Sequence, residues 1–257
     1  MLPTLLLVAH GSRDPRFAAT AGRLRDAVGA ALPGVDTRLA YLDLNEPLVG
    51  HALDEIVGDC VVVPLLFAAG YHSKVDLPEI IAGHAGGHRE VTQTDVIGTF
   101  PLAAALAERI AEAGVADPAG DRVGVILTAV GSSDRAADSH VRRRAIELSM
   151  LINRPVEVVF ATKLGSREHR LRNAIRRLRS AGAQRIVVSP YFLSAGLLTE
   201  RVEAALDSHA EPVTVAGPLG AHPDVVEAVC HQYWLGATNG AAADQESLGA
   251  AAFVTRA

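Results

Sequence analysis

Cysteine, aromatic residues and long apolar runs are all scarce in this chain of 257 residues. Its two cysteines, Cys60 and Cys230, each sit inside an apolar segment, GDCVVV and AVCHQY. That argues against a disulfide framework or a thiolate zinc site, and both read as small core residues. Aromatics make up 4% of the chain and the net charge is −5. The chain therefore lacks the stacking platform and the basic face that nucleic-acid binding requires. The longest uncharged apolar stretch, Cys60 to Gly70, is broken by Pro64 and falls well short of the roughly 20 residues a membrane-spanning helix needs. Met1 to Ala9 is apolar but has no basic leader and runs directly into His10-Gly11-Ser12. It reads as a first strand rather than a secretory signal, so a cytoplasmic protein is expected, with neither nucleic acid nor membrane as a partner.

What the chain does have is 49% apolar residues against 21% charged ones, enough to bury substantial cores. Leu5 to Ala9 is a continuous apolar run of the kind found in strands buried on both faces of a parallel sheet. A helix follows: Asp14 is placed to cap it, Pro15 suits its first position, and Phe17, Ala21, Leu24, Val28 and Ala31 form one apolar stripe. The unit recurs, with strands expected over Thr37–Leu42, Val61–Leu66 and Val91–Ile97. Helices are expected over Leu48–Val57, Leu77–Ala82 and Pro101–Ala113. Such alternation predicts an α/β fold with mostly parallel sheets flanked by helices. Ligands of these sheets sit beyond the carboxyl ends of the strands, so the loops starting at His10, Asp43, Phe67 and Gly98 should converge.

The pattern then starts again after GVADPAGD, Gly114 to Asp121, the best linker candidate. LTAVGSSD, Leu127 to Asp134, aligns with LVAHGSRD, Leu7 to Asp14, at an offset of 120. VVSPYFLSAGLL, Val187 to Leu198, aligns with the segment ending in AAGYH at an offset of 126, Pro190 matching Pro64 and Gly196 matching Gly70. Two tandem, duplicated domains are expected, 1–116 and 121–237, with a cleft between them. Residues 238–257, rich in Ala, Gly and small polar residues, read as a flexible tail.

The two copies differ where chemistry is easiest to place. His10 corresponds to Val130, and His72 to Leu198. A His at the end of a buried strand is often only a hydrogen-bonded edge residue. Both copies, however, keep the strand, glycine and hydroxyl residue around it, so loss of the His from one copy favours a function in the other. Each His follows a strand at its carboxyl end, where two imidazoles could share a metal and leave its other positions open. Glu46 could orient a His, bind metal or take up a proton, or serve only as an exposed carboxylate at a helix start. Arg13, Arg16 and Lys74 could meet substrate carboxylates. His84 and His88 are four apart, but the intervening Ala85-Gly86-Gly87 makes them an incidental pair. Gly11-Ser12 could offer backbone N–H groups to an anion. A phosphohistidine enzyme is disfavoured, because Ala9 stands where that chemistry needs an Arg.

VAHGSRD, LDLNEP and PLLFAAGYHSKVDLP, in that order, resemble the sirohydrochlorin chelatase family, the class II tetrapyrrole chelatases, over most of residues 4 to 235. The resemblance implies that His10 is a metal ligand and proton acceptor and His72 the second metal ligand. It places Glu46 and the loop Phe67, Ala68, Ala69, Gly70, Tyr71 and His72 against the macrocycle. The implied reaction inserts Fe²⁺ or Co²⁺, as metal substrate, into sirohydrochlorin, toward siroheme or cobalamin, with no permanently bound cofactor. Short relatives are homodimers of one domain, so the fused chain is expected to be monomeric. The rival reading is a metal or tetrapyrrole carrier that binds without catalysis.

Overall fold

The computed structural model describes residues 2–84, 90–115, 122–207 and 213–254. Two α/β units follow one another. The first comprises β1 (Thr4–Ala9), α1 (Pro15–Ala31), β2 (Thr37–Tyr41), α2 (Val49–Glu55), β3 (Cys60–Pro64), α3 (Leu77–His84), β4 (Val91–Gln93) and α4 (Ala103–Glu112). The second comprises β5 (Val123–Ala129), α5 (Arg135–Ile152), β6 (Val156–Phe160), α6 (His169–Ser180), β7 (Arg185–Pro190), α7 (Leu197–Asp207), β8 (Val213–Val215) and α8 (Pro223–Val254). The sheets have the same order, β2-β1-β3-β4 and β6-β5-β7-β8, with every pair parallel. This is the duplicated parallel α/β fold that the repeat implied.

Alternation along the strands explains how the halves join. Leu6 and Val8 turn to one face of their sheet and pack with Val49, Leu53, Leu77 and Ile81 from α2 and α3. Leu5 and Leu7 turn to the other face and enter a core that also holds Val125 and Leu127 of β5. Leu24 and Val28 of α1, Leu106 and Ile110 of α4, Leu148 of α5 and Val229 of α8 fill the space between the sheets. Each such fully buried side chain contributes about 2 kcal/mol. The closing helices are exchanged. α4 packs on α5 and β7 of the second half, whereas α8 packs on α1, β3 and β4 of the first. Tyr233 of α8 donates to the Pro3 carbonyl at 2.9 Å, tying the final helix to the start of the chain.

Local signals act as expected at α1, where Asp14 accepts from Arg16 N at 3.0 Å and Pro15 opens the helix. The buried stripe closes with Leu32 at the helix end, not with Ala31, which is exposed. β4 stops at Gln93, shorter than expected, because Val96 and Ile97 are buried through a 3₁₀ turn over Ile97–Thr99. The helical backbone of α8 continues to Val254, through most of the segment 238–257. Alanine-rich segments have the highest helix propensity, which an apolar-period criterion overlooks. Linker residues 116–121, which include both expected boundaries, and residues 255–257 lie outside the described residues, as does His88. Among the described residues, no helix is long and apolar enough to cross a membrane.

Ion pairs related by the repeat cross between the halves at the strand ends. Lys74 Nζ lies 2.7 Å from Asp134, and Arg16 bridges Asp14 to Glu200. The Lys74 ammonium, helped by the Ala136 N–H, holds the Asp134 carboxyl below its ordinary value. Folding thus favours the ionised form, so the contribution is complete above the unfolded value near 3.9 and is lost as the pH falls through the lowered one. Thermal melts of wild type and Asp134→Asn should therefore differ by a constant margin from pH 7 to about 5 and converge below about pH 4.

Candidate active site

β1 ends at Ala9, and the chain turns at once over the end of β2. The turn uses Gly11 at φ +98°, a region open to glycine. A Cβ there would lie 1.7 Å from the Asp43 carbonyl oxygen. Asp43 N donates to His10 O at 3.0 Å, so the His10 loop and the loop after β2 are seated backbone on backbone. From the other side comes the loop after β3. Beyond Gly70 it winds into a π-helical turn over His72–Asp76, a wide turn that recurs at functional sites, and runs straight into α3.

These two loops bring His10 Nε2 to 3.1 Å from His72 Nε2, with the rings edge to face. His72 Nδ1 lies 2.6 Å from Asp76 Oδ2. A carboxylate only accepts, so Nδ1 of His72 carries the proton and its Nε2 presents a lone pair. His10 turns its Nε2 toward that lone pair, while its Nδ1 lies 3.4 Å from the Gly11 carbonyl oxygen. A cavity of about 560 Å³ opens here, lined by His10, Leu42, Asp43, His72, Asp76, Glu79 and Ile80. That volume suits an organic ligand, and the three carboxylates make its wall attractive to a cation. All seven residues belong to the first half. The second half reaches the rim, where Ser132 Oγ lies 3.3 Å from the point a Cβ on Gly70 would occupy and Asp134 holds Lys74.

Glu46 is not brought to the pair. Its carboxylate accepts from Leu48 N at 2.9 Å, just before α2, lies 3.6 Å from His51 Nδ1 and is 72% exposed. Of the expected macrocycle loop, Phe67, Ala68, Ala69 and Gly70 are half-buried and Tyr71 is exposed beside His72. Arg16 and Lys74 are committed to carboxylates, whereas Arg13 is exposed. The anion site once open at Gly11-Ser12 is filled from within: Ser12 N donates to Asn45 Oδ1 at 2.7 Å, and Asp14 caps α1. His84 pairs with Asp54 at 2.8 Å. Val130, at the position of His10, is exposed, and Leu198, at that of His72, is half-buried.

Sequence reasoning missed Asp43, Asp76 and Glu79. A signal existed for Asp76, since His72 and Asp76 are four apart in HSKVD, one helical turn. At the same offset of 126 that pairs His72 with Leu198, Asp76 pairs with Val202, so all three members of the relay are confined to one copy.

Two parallel sheets sharing one core, with two imidazoles in contact at the strand ends of the first half, define a fused pseudo-dimeric α/β protein. The chain belongs to the CbiX family, whose model matches residues 4–113 and again 124–233. It is 27% identical over 240 residues to the sirohydrochlorin cobaltochelatase of Priestia megaterium, covering 86% of this chain and 76% of that relative. It is 26% identical over 238 residues to the sirohydrochlorin ferrochelatase of Bacillus subtilis (strain 168), covering 89% of each. The crystal structure of the sirohydrochlorin chelatase SirB from Bacillus subtilis subspecies spizizenii in complex with cobalt shares the fold. Its TM-score is 0.75 at 23% identity, over 93% of this chain and 97% of that one.

The carboxylate behind His72 generates a prediction for metal binding. Asp76→Asn should weaken Co²⁺ binding about 10- to 100-fold while leaving the circular dichroism unchanged, as read by titrating the visible absorbance of Co²⁺.

Proposed function

We propose that the chain is a sirohydrochlorin chelatase, inserting Fe²⁺ or Co²⁺ into the macrocycle with release of two protons. One observation carries the reading: two imidazole Nε2 atoms 3.1 Å apart at the wall of an open cavity. Ligands about 2.1 Å from one metal and that far apart subtend about 95°, an angle adjacent positions on a divalent ion accept with little movement. The rest of the coordination sphere faces the cavity, where the pyrrole nitrogens would approach. The family membership and the names of the relatives support the same reaction.

The chemistry removes two pyrrole N–H protons as the metal enters the same ring face. Asp76 holds the His72 lone pair toward the metal. His10 ligates the ion through Nε2 while its Nδ1–H faces the Gly11 carbonyl. As the metal passes from the imidazoles to the ring, the freed Nε2 lone pair accepts one pyrrole proton, the second passing to water. Leu42 and Ile80 offer apolar surface to the macrocycle, and the Phe67–Tyr71 loop borders its edge. Glu46 lies outside the cavity lining, so we assign it a contact at the rim and leave proton handling to the pair. The pseudo-dimer interface is internal to the chain, which fits a monomer.

The test follows the absorbance of sirohydrochlorin with Fe²⁺ or Co²⁺. Wild type should turn over many equivalents, whereas a carrier would stop at one. His10→Ala should lose at least about 100-fold in rate while staying folded, and a folded His10→Ala that metallates as fast as wild type would show the assignment to be wrong.

A further inference from the structure

The second half has no copy of the His pair, yet part of it is built more elaborately than its counterpart. Arg144, on α5, has a guanidinium that is only 4% exposed. It donates to Phe100 O at 2.7 Å and Gly98 O at 3.2 Å, both in the first half, and its charge is paired with Glu147. One turn earlier, His140 Nε2 donates to the same Gly98 oxygen at 2.6 Å. Gly98 in turn lies on the backbone of Phe67. A Cβ on Gly98 would sit 2.0 Å from Phe67 O, and Gly98 N donates to Leu66 O at 3.1 Å. The Phe67 ring packs on Tyr191 of the second half, centroids 4.8 Å apart. Phe67 opens the loop that delivers His72.

The molecule contains its own control for this arrangement. In the other copy Phe192 O, the counterpart of Leu66 O, accepts from Leu219 N at 2.9 Å, and Gly220 N donates to the next carbonyl, Leu193 O, at 2.9 Å. At the offset of 120, the counterparts of His140 and Arg144 are Thr20 and Leu24; at 126, the counterpart of Tyr191 is Leu65. Thr20 brings its methyl group within 3.9 Å of the ideal Cβ position on Gly220, and its hydroxyl donates to Ser194 Oγ in the counterpart loop at 3.4 Å. Both copies keep the loop and its glycine. The loop of the other copy is also held by an arginine of the opposite half, Arg109 donating to Leu219 O at 3.0 Å. Among the described residues, however, the loop leading to His72 alone has a buried guanidinium reaching two carbonyls, a histidine on the same oxygen and a tyrosine ring. Burying a guanidinium is costlier than burying leucine, and the fold shows a working leucine solution on its other side.

We propose that Arg144, with His140 and Tyr191, forms a positioning set that fixes the Phe67–His72 loop and so the separation of the two imidazoles. The second half contributes support to the site, not chemistry. This rests on the reading of His10 and His72 as the metal-binding pair.

The test gives the clasp the residues of the other copy, His140→Thr with Arg144→Leu, in the full chain. The double variant should melt cooperatively, bind Co²⁺ at least about tenfold more weakly by absorbance, and show faster amide exchange over residues 67–72. Tyr191→Leu should act in the same direction, and Tyr191→Phe, which keeps the ring, should match wild type. Leu24→Ala, which destabilises the opposite side, should leave Co²⁺ affinity unchanged. Wild-type affinity and exchange in the folded double variant would overturn the proposal; should that variant not fold, Tyr191→Leu decides by the same readouts. Co²⁺ binding is read without tetrapyrrole. A wild type that binds Co²⁺ through His10 and His72 but leaves sirohydrochlorin unmetallated therefore sinks the proposed function and not the positioning role.

Discussion

Leu5 and Leu7 of one sheet enter the same interior as Val125 and Leu127 of the other, because neither sheet has a solvent face on which to leave them. Burial on both faces is what parallel sheets demand, and in a duplicated chain each copy supplies the cover for the other. The shared core orients the two sheets with their strand ends meeting along one rim. Lys74–Asp134 and Arg16–Glu200 then join the segments beyond the strand ends of opposite halves at related places, and the His72 loop lies against residues of the second half.

Symmetry of the frame makes its departures informative. His10, His72 and Asp76 face Val130, Leu198 and Val202 as counterparts, so the polar relay exists once. The clasp of His140, Arg144 and Tyr191 also exists once, and it serves the loop that carries the relay. On the proposed reading, chemistry is concentrated in one copy and a buried guanidinium of the other supports it, while the glycines and backbone hydrogen bonds that build the loops remain in both.

Much of this was legible in the sequence because it depends on local or repeated patterns. The apolar run of Leu5–Ala9, the Asp14-Pro15 helix start and the two repeat matches specify strands, a cap and a duplication without tertiary knowledge. The His pair could be placed because loops after parallel strands gather at one edge. Asp76 escaped because its contact depends on a π-helical turn whose width no periodicity predicts. Glu46 shows the reverse limit: its motif was visible, but whether its carboxylate turns to the cavity or to Leu48 N is decided by the loop after β2. The exchange of α4 and α8 was hidden as well, since an amphipathic helix does not state which sheet it will cover.

That exchange bears on how the protein is made. The first half holds both imidazoles and the whole cavity lining, yet one face of its sheet is closed by α8, which begins at Pro223. During synthesis, β3 and β4 therefore wait without the cover of α8 until residues beyond Pro223 have been made. Tyr233 of the same helix donates to the carbonyl of Pro3, just before β1, and that bond too forms only after α8 is made. A nascent chain stalled anywhere before α8 would present the sheet that carries the site as a sticky face, a natural client for chaperones.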